Sequence, residues 1–171
     1  MKILVFADFH GSVSGLQTAV KISQREQPDK TVICGDLFGF SSSSQVAQIV
    51  LQLYGVTYLV RGNNDRPYDE AMLPCPMEDS AVMYHFNRTL FFTHGDRYNA
   101  LAVPPILKPG DALIHGHTHA GSLRVVNGLF VLNVGSVCRP RNDIPSYLVL
   151  DELGATLKQP DGEILQAVKW N

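Results

Sequence analysis

The sequence predicts an α/β protein, a four-layer αββα sandwich of two mixed sheets with helices on the outer faces. Three observations point there. The first 60 residues alternate β-α-β-α-β, which implies parallel strands joined by crossover helices. The second half is mostly short strands separated by turn residues. No internal repeat or low-complexity linker divides the 171 residues, so both halves fall in one domain, 1–171, large enough for a sizeable core.

The elements follow in order. Residues 3–7, ILVFA, form a continuous apolar run, as expected of a buried strand. Residues 14–27 place Leu16, Ala19, Val20 and Ile22 or Ser23 near one helical face, and Pro28 with Asp29 ends that helix. TVIC, 31–34, is a second buried strand. The serines at 41–44 suit a capping loop before an amphipathic helix over 44–53, with Gly55 as its stop. VTYLV, 56–60, is a third strand. AVMYHF, 81–86, and TLFFT, 89–93, read as a hairpin turning at Asn87-Arg88. SLRVV and LFVLNV flank Asn127-Gly128, a strong hairpin signal. SYLVLDE, ATLKQ and EILQAVK follow, separated by turns at Leu153-Gly154 and Pro160-Asp161-Gly162.

Composition excludes several classes. The net charge is -2 with both signs mixed, so no basic face invites nucleic acid. The three cysteines, Cys34, Cys75 and Cys138, make neither a zinc pattern nor a disulfide framework, and reduced thiols in a cytoplasmic protein are expected. The opening apolar run breaks at Asp8, short of the roughly 7–15 residues of a signal-peptide core. No run approaches the roughly 18 apolar residues of a membrane helix, so no membrane partner is expected.

The chemistry sits just after the apolar runs. ILVFA is followed by Asp8 and His10, TVIC by Asp36, YLV by Arg61-Gly62-Asn63, LFFT by His94, and ALI by His115, His117 and His119. In α/β sheets a site forms beyond the carboxyl ends of the strands. Singly, each residue has a bland reading: Asp8 a helix cap, Asp36 a turn residue, His94 a hydrogen-bonded structural histidine. No bland reading covers all five strand ends. Carboxylates, an amide oxygen and imidazoles together suit Mn, Fe, Zn or Ni rather than a thiolate site. About seven such groups exceed one tetrahedral ion and fit two divalent metals, the arrangement that clamps a displacement at phosphorus.

In sequence order, DFHG at 8–11, GD at 35–36, GNND at 62–65, THG at 93–95 and GHTH at 116–119 resemble the motif series of the calcineurin-like metallophosphoesterase superfamily. NVGSVCRPRN, 133–142, resembles an NPGSV-x-x-PR segment of its small members. The short chain looks most like the YfcE-like phosphodiesterase branch. The resemblance implies the αββα fold and hydrolysis of a phosphoester by attack of a metal-bridging hydroxide. It assigns Asp8, His10, Asp36 and His119 to one metal, with Asp36 bridging to a second held by Asn63, His94 and His117. Manganese is the first expectation, with Fe, Ni or Zn as alternatives.

The expected catalytic residues are His10, Asp36 and Asn64, and the expected substrate contacts are Asn63, Asn64, Arg139 and Arg141. Asn64 stands where relatives carry His or Cys, and an amide cannot deliver a proton to a leaving group. Val134 replaces a common Pro, which concerns loop geometry only. Arg139 and Arg141 suit phosphate recognition, and two solvated loop arginines are the other reading. Asp65 and Asp96 are placed to orient imidazoles, or are turn residues; His115 is read as packed behind the ligands and His85 as structural. The expected substrate is a small-molecule or nucleotide phosphoester, and an exposed strand edge leaves a homo-oligomer open. The competing classes are a monoesterase, a nuclease, or a scaffold protein resembling the retromer subunit of this fold.

Overall fold

The computed structural model describes residues 1–39, 41–73 and 75–170. Strand β1 (Ile3–Phe6) is followed by α1 (Val13–Glu26), β2 (Lys30–Cys34), α2 (Ser43–Val50), β3 (Val56–Val60), α3 (Pro67–Glu70) and β4 (Met77–Glu78). Then come β5 (Ala81–His85), β6 (Arg88–Phe92), β7 (Ala112–His115), β8 (Ser122–Val126) and β9 (Leu129–Asn133). The chain closes with β10 (Tyr147–Leu150), β11 (Gly154–Lys158) and β12 (Ile164–Lys169). The strands make a seven-stranded sheet, β12-β11-β10-β1-β2-β3-β4, and a five-stranded sheet, β5-β6-β7-β9-β8.

Both sheets are mixed, as the sequence predicts. β1, β2, β3 and β4 run parallel, and β10, β11 and β12 add antiparallel strands at the other side of β1. In the second sheet β6, β7 and β9 run parallel, with β5 and β8 as antiparallel edges. The strand side chains alternate accordingly. Ile3 and Val5 of β1 face a core shared with Phe92, Ile114, Phe130 and Leu132 of the other sheet. Leu4 and Phe6 face the helix layer, against Leu16, Ala19 and Ile22 of α1 and Val46 and Val50 of α2. Burying each such side chain stabilises the fold by roughly 1.5–3 kcal/mol.

The fourth layer is of a different kind from the first. The outer face of the five-stranded sheet, Phe91, Leu113, Leu129 and Val131, packs against Leu107 of an irregular segment, and no helix lies between β6 and β7 among the described residues. Pro104, Pro105 and Pro109 in that segment explain why no helix forms there.

Local details also differ from expectation. The β5–β6 hairpin turns at Phe86-Asn87, both at φ 57°, rather than at Asn87-Arg88. Asn127 and Gly128 share the same left-handed geometry, at φ 51° and 79°, as predicted. Ser12 caps α1, accepting from the Gly15 amide at 3.1 Å, and left-handed Gln27, not Pro28, ends it. Helix α2 stops at Val50, a turn short of the predicted end. Helix α3 and strand β4 are too short to have left a periodic signal. No helix among the described residues is long and apolar enough to cross a membrane.

Candidate metal centre

The loops that leave β1, β2, β3, β6 and β7 meet at one edge of the sandwich. Backbone hydrogen bonds zip them in pairs. Asp8 N–H donates to Gly35 O at 3.1 Å and His10 N–H to Asp36 O at 2.8 Å. Across the other sheet, Gly116 N–H donates to His94 O at 2.9 Å. The two pairs are joined by the His117 amide, which donates to Asp8 Oδ2 at 2.9 Å. These loops are tightly wound. Asp8, His10, Asp36, His117 and His119 all hold positive φ, between 48° and 68°. That region is costly for side-chain-bearing residues and recurs where a site demands a set orientation. Gly62 admits the approach of β2's loop to β3's: a Cβ there would land on the Asp36 amide nitrogen and Oδ1.

The seven sequence-predicted ligands converge. His10 Nε2 lies 3.1 Å from His119 Nε2. His94 Nε2 lies 3.0 Å from Asn63 Oδ1 and 3.1 Å from His117 Nδ1. Asp36 Oδ2 sits between the two groups, 3.5 Å from His10 Nε2 and 3.4 Å from His94 Nε2. Asp8 Oδ1 is 3.6 Å from His119 Nε2. Two trios, Asp8-His10-His119 and Asp8-Asp36-His94, each bring three donor atoms within 4.8 Å of one another.

The outer edges of the imidazoles are anchored. His94 Nδ1 faces Cys34 O at 3.1 Å and His119 Nδ1 faces Arg139 O at 2.8 Å. A carbonyl can only accept, so each Nδ1 carries the proton and, in the neutral ring, each Nε2 turns a lone pair inward. With neutral rings the cluster is rich in acceptors, whereas without a cation His94 keeps a proton on the edge facing Asp36. Asp8 Oδ1 is buried with no hydrogen-bond partner among the described residues. Burial pushes the Asp8 carboxyl up to about 7, although His94 opposes this. Burial would also raise Asp36, but hydrogen bonds from His94 and from both the amide and side chain of Asn64 hold it well below the usual carboxylate range. Burial alone would lower His94, yet the Asp36 carboxylate raises it to about 9. An orphaned buried carboxylate oxygen among inward-facing lone pairs is what one or more divalent cations would complete.

The other candidates fall as follows. Asn64 donates from its backbone to Asp36 Oδ1 at 2.9 Å and from Nδ2 to Asp36 Oδ2 at 2.7 Å. Arg141 is exposed beside the His119 loop, its amide donating to His119 O at 3.0 Å. Arg139 is exposed there too, and its guanidinium is close enough to depress His10, after burial, Asp36 and His119 in influence. Asp65 does not orient an imidazole. It accepts the Phe38 and Gly62 amides, both at 2.8 Å, and so fastens the β2 and β3 loops. Asp96 is exposed and makes no hydrogen bond to a histidine among the described residues. His115 is buried behind the cluster, with Nδ1 3.1 Å from Gly116 O and 3.3 Å from Asn133 Nδ2. His85 lies at the far end of β5.

Two supports went unassigned in the sequence. Asn133 donates to Gly116 O at 3.1 Å and Thr118 Oγ1 at 2.9 Å, and so shapes the GHTH turn. Ser136 Oγ donates to Asp8 O at 2.9 Å and accepts the Arg139 amide at 3.0 Å. Asn133 ends the apolar run LFVLN at the same sheet edge, a signal that was available. A cavity of about 590 Å³ at the opposite end, lined by His85, Phe86, Arg88 and Trp170, brings together no such set of donor atoms.

Comparison with known proteins agrees with this geometry. The calcineurin-like phosphoesterase superfamily domain matches residues 1–154. Phosphodiesterase YfcE of Escherichia coli (strain K12) is 28% identical over 163 residues, 88% of each chain. Phosphodiesterase MJ0936 of Methanocaldococcus jannaschii is 26% identical over 163 residues, 88% of this chain and 93% of that one. The solved structure of Escherichia coli YfcE superposes with a TM-score of 0.88 at 26% identity, covering all of both chains. Zinc-complexed Vps29 of Entamoeba histolytica shares the fold at a TM-score of 0.68 and 23% identity over all of both chains. The chain belongs to the calcineurin-like phosphoesterase superfamily, and its chemistry is the metal-dependent hydrolysis of phosphoesters.

Proposed function

We propose that this chain is a phosphodiesterase dependent on two divalent cations, working as one domain over residues 1–171 in the cytoplasm on a small-molecule or nucleotide phosphoester. The observation that carries this is the convergence of Asp8, His10, Asp36, Asn63, His94, His117 and His119, with Asp8 Oδ1 buried and without a hydrogen-bond partner among the described residues. Asp8, His10 and His119 would hold one ion; Asn63, His94 and His117 would hold the other; Asp36, between the two groups, would serve both. Manganese heads the choice because the set mixes carboxylate, amide oxygen and imidazole, with Fe, Ni and Zn next. The bound ions would supply Lewis acidity, lowering the pKa of water at the site and offsetting charge on the phosphoryl oxygens.

The chain's own residues do the rest. Cys34 O and Arg139 O fix the His94 and His119 tautomers. Arg139 and Arg141, on the His119 flank, are placed to receive phosphoryl oxygens that lie away from the ions. Asn64 offers an N–H from its side chain and steadies Asp36, but it has no proton to give a departing alkoxide. Esters whose leaving group departs as a stable anion are therefore favoured, and aryl diesters are expected to exceed alkyl monoesters.

The test is hydrolysis of bis(p-nitrophenyl) phosphate by metal-stripped protein, with Mn returned and p-nitrophenyl phosphate alongside. Metal-dependent diester cleavage faster than monoester cleavage is the expected result. Faster monoester cleavage would keep the metal site and overturn the role given to Asn64. No turnover with any divalent metal would favour a scaffold role.

A further inference from the structure

Beside the metal centre lies a pocket of about 270 Å³ lined by Arg61, Gly62, Asn63, Asp79, Asp96 and Arg97. Asn63 belongs to both, so the pocket adjoins the candidate metal centre. Its volume falls just under the roughly 300–1,000 Å³ of sites that enclose a whole drug-sized ligand, so it suits one ester group rather than an entire substrate.

The charges of its lining are already matched. Arg61 forks onto Glu70, Nε to Oε1 at 2.6 Å and Nη2 to Oε2 at 2.9 Å. Its Nη1 pairs with Asp79 and its Nη2 also donates to Met77 O at 2.8 Å. Arg97 Nη1 reaches the other Asp79 oxygen at 3.4 Å, and its Nε lies 4.0 Å from Asp96. Two guanidiniums thus face three carboxylates. A second phosphate entering here would meet Asp79 and Asp96, with Arg61 already committed. Hydroxyls and amides, by contrast, find acceptors on the two exposed aspartates and donors on Arg97, which is 70% exposed. Arg139 and Arg141 do not line this pocket; their backbones lie against His119.

We infer that the Arg61–Asp79–Arg97 pocket seats one ester group of the diester and selects an uncharged, hydrogen-bonding group, such as a nucleoside or a polyol, over one bearing a second phosphate. This rests on the diesterase reading above and assigns its substrate class.

Two chromogenic diesters test it, thymidine 5′-(p-nitrophenyl phosphate) and the same compound with a 3′-phosphate. They share a leaving group and differ only in the charge of the other ester. With Mn-loaded wild-type protein, the unphosphorylated ester is expected to have a kcat/KM at least about tenfold higher, mostly through KM. The ratio within each variant then reads the pocket. Asp79→Asn, which releases Arg97, should narrow it several-fold, and Arg97→Glu should widen it. Turnover of bis(p-nitrophenyl) phosphate with equal kcat/KM on the two thymidine esters overturns the inference and leaves the diesterase reading standing. A ratio that neither variant moves also overturns it. Absence of turnover on every diester overturns both.

Discussion

Asp8 and Glu26 are both buried carboxylates, and the fold treats them in opposite ways. Glu26, 9% exposed at the end of α1, is surrounded by the chain's own donors. Its Oε1 accepts from Tyr147 Oη at 2.8 Å and Lys158 Nζ at 2.9 Å, and Lys2 Nζ approaches Oε2 at 3.4 Å. Burial would raise its pKa, but the hydrogen bonds from Lys158 and Tyr147 bring it below the ordinary value. Asp8, fully buried, has one oxygen with no hydrogen-bond partner among the described residues and a carboxyl pushed up to about 7. The first carboxylate is complete within the polypeptide. The second is completed only by something from outside it. A buried acid left unsatisfied by its own fold marks a binding centre, whereas a buried acid well supplied with donors marks architecture.

The contrast can be broken by substitution. Asp8→Asn should lower metal-dependent turnover on the order of 10³-fold, since it removes a charged donor of the trio. The metal-free fold should nonetheless gain a few degrees in Tm, because an amide is cheaper to bury than an orphaned carboxylate. Glu26→Ala should do the reverse, costing about 2 kcal/mol, or roughly 4–8 °C, while the Mn-loaded enzyme keeps its kcat. Thermal melts with and without Mn, beside bis(p-nitrophenyl) phosphate assays, check both. A fall in the metal-free Tm of Asp8→Asn would erase the distinction.

Metal itself sharpens it next. At about 100-fold excess over Kd, Mn should stabilise the wild-type protein by about 2.7 kcal/mol and leave Asp8→Asn nearly unmoved. Differential scanning fluorimetry reads this directly.

The pH response is smaller and has a definite sign. The folded state makes Asp8 harder to ionise than the unfolded chain does, so its cost appears as pH climbs from about 4 to about 7. His94, raised to about 9 chiefly by Asp36 against the pull of burial, stabilises below about 6.5 and ceases to as pH passes about 9. Metal-free protein should therefore lose stability between about pH 6.5 and 9, and Mn should flatten that slope. Glu26, depressed, works the other way: its contribution is present above about 4.5 and fades as the solution is acidified below that. Urea midpoints across pH 2–9, with and without Mn, separate the two. The smallest expected effect is that of Asn64→His, which supplies the missing acid and should raise p-nitrophenyl phosphate turnover about 10-fold or more.

Much of this was readable in the residues. Continuous apolar runs such as ILVF and ALI gave the central strands, because both faces of those strands are covered. The candidate ligands were readable as a set because a carboxylate, an amide or an imidazole stands just past each run. Elements without a period stayed hidden, among them α3, β4 and the proline-rich fourth layer. The Phe86-Asn87 turn stayed hidden because a phenylalanine at positive φ is against propensity, and its ring is held by Trp170 at 6.3 Å. Of the two readings of Asp65, orienting an imidazole or shaping a turn, the structure favours the second. Its neighbours in sequence are candidate ligands, but its partners in space are two backbone amides.

The left-handed backbone at Asp8, His10, Asp36, His117 and His119 bears on how such a protein changes over generations. Glycine enters that conformation at no steric cost, whereas aspartate and histidine, though commoner there than most residues, still pay for it. Mutations that abandon the chemistry at these positions therefore run downhill in folding free energy. A lineage relieved of selection for turnover would drift toward a sturdier, inert copy of the same sandwich. Holding two aspartates and three histidines at these five positions therefore costs this chain backbone strain that its site chemistry, not its folding, requires.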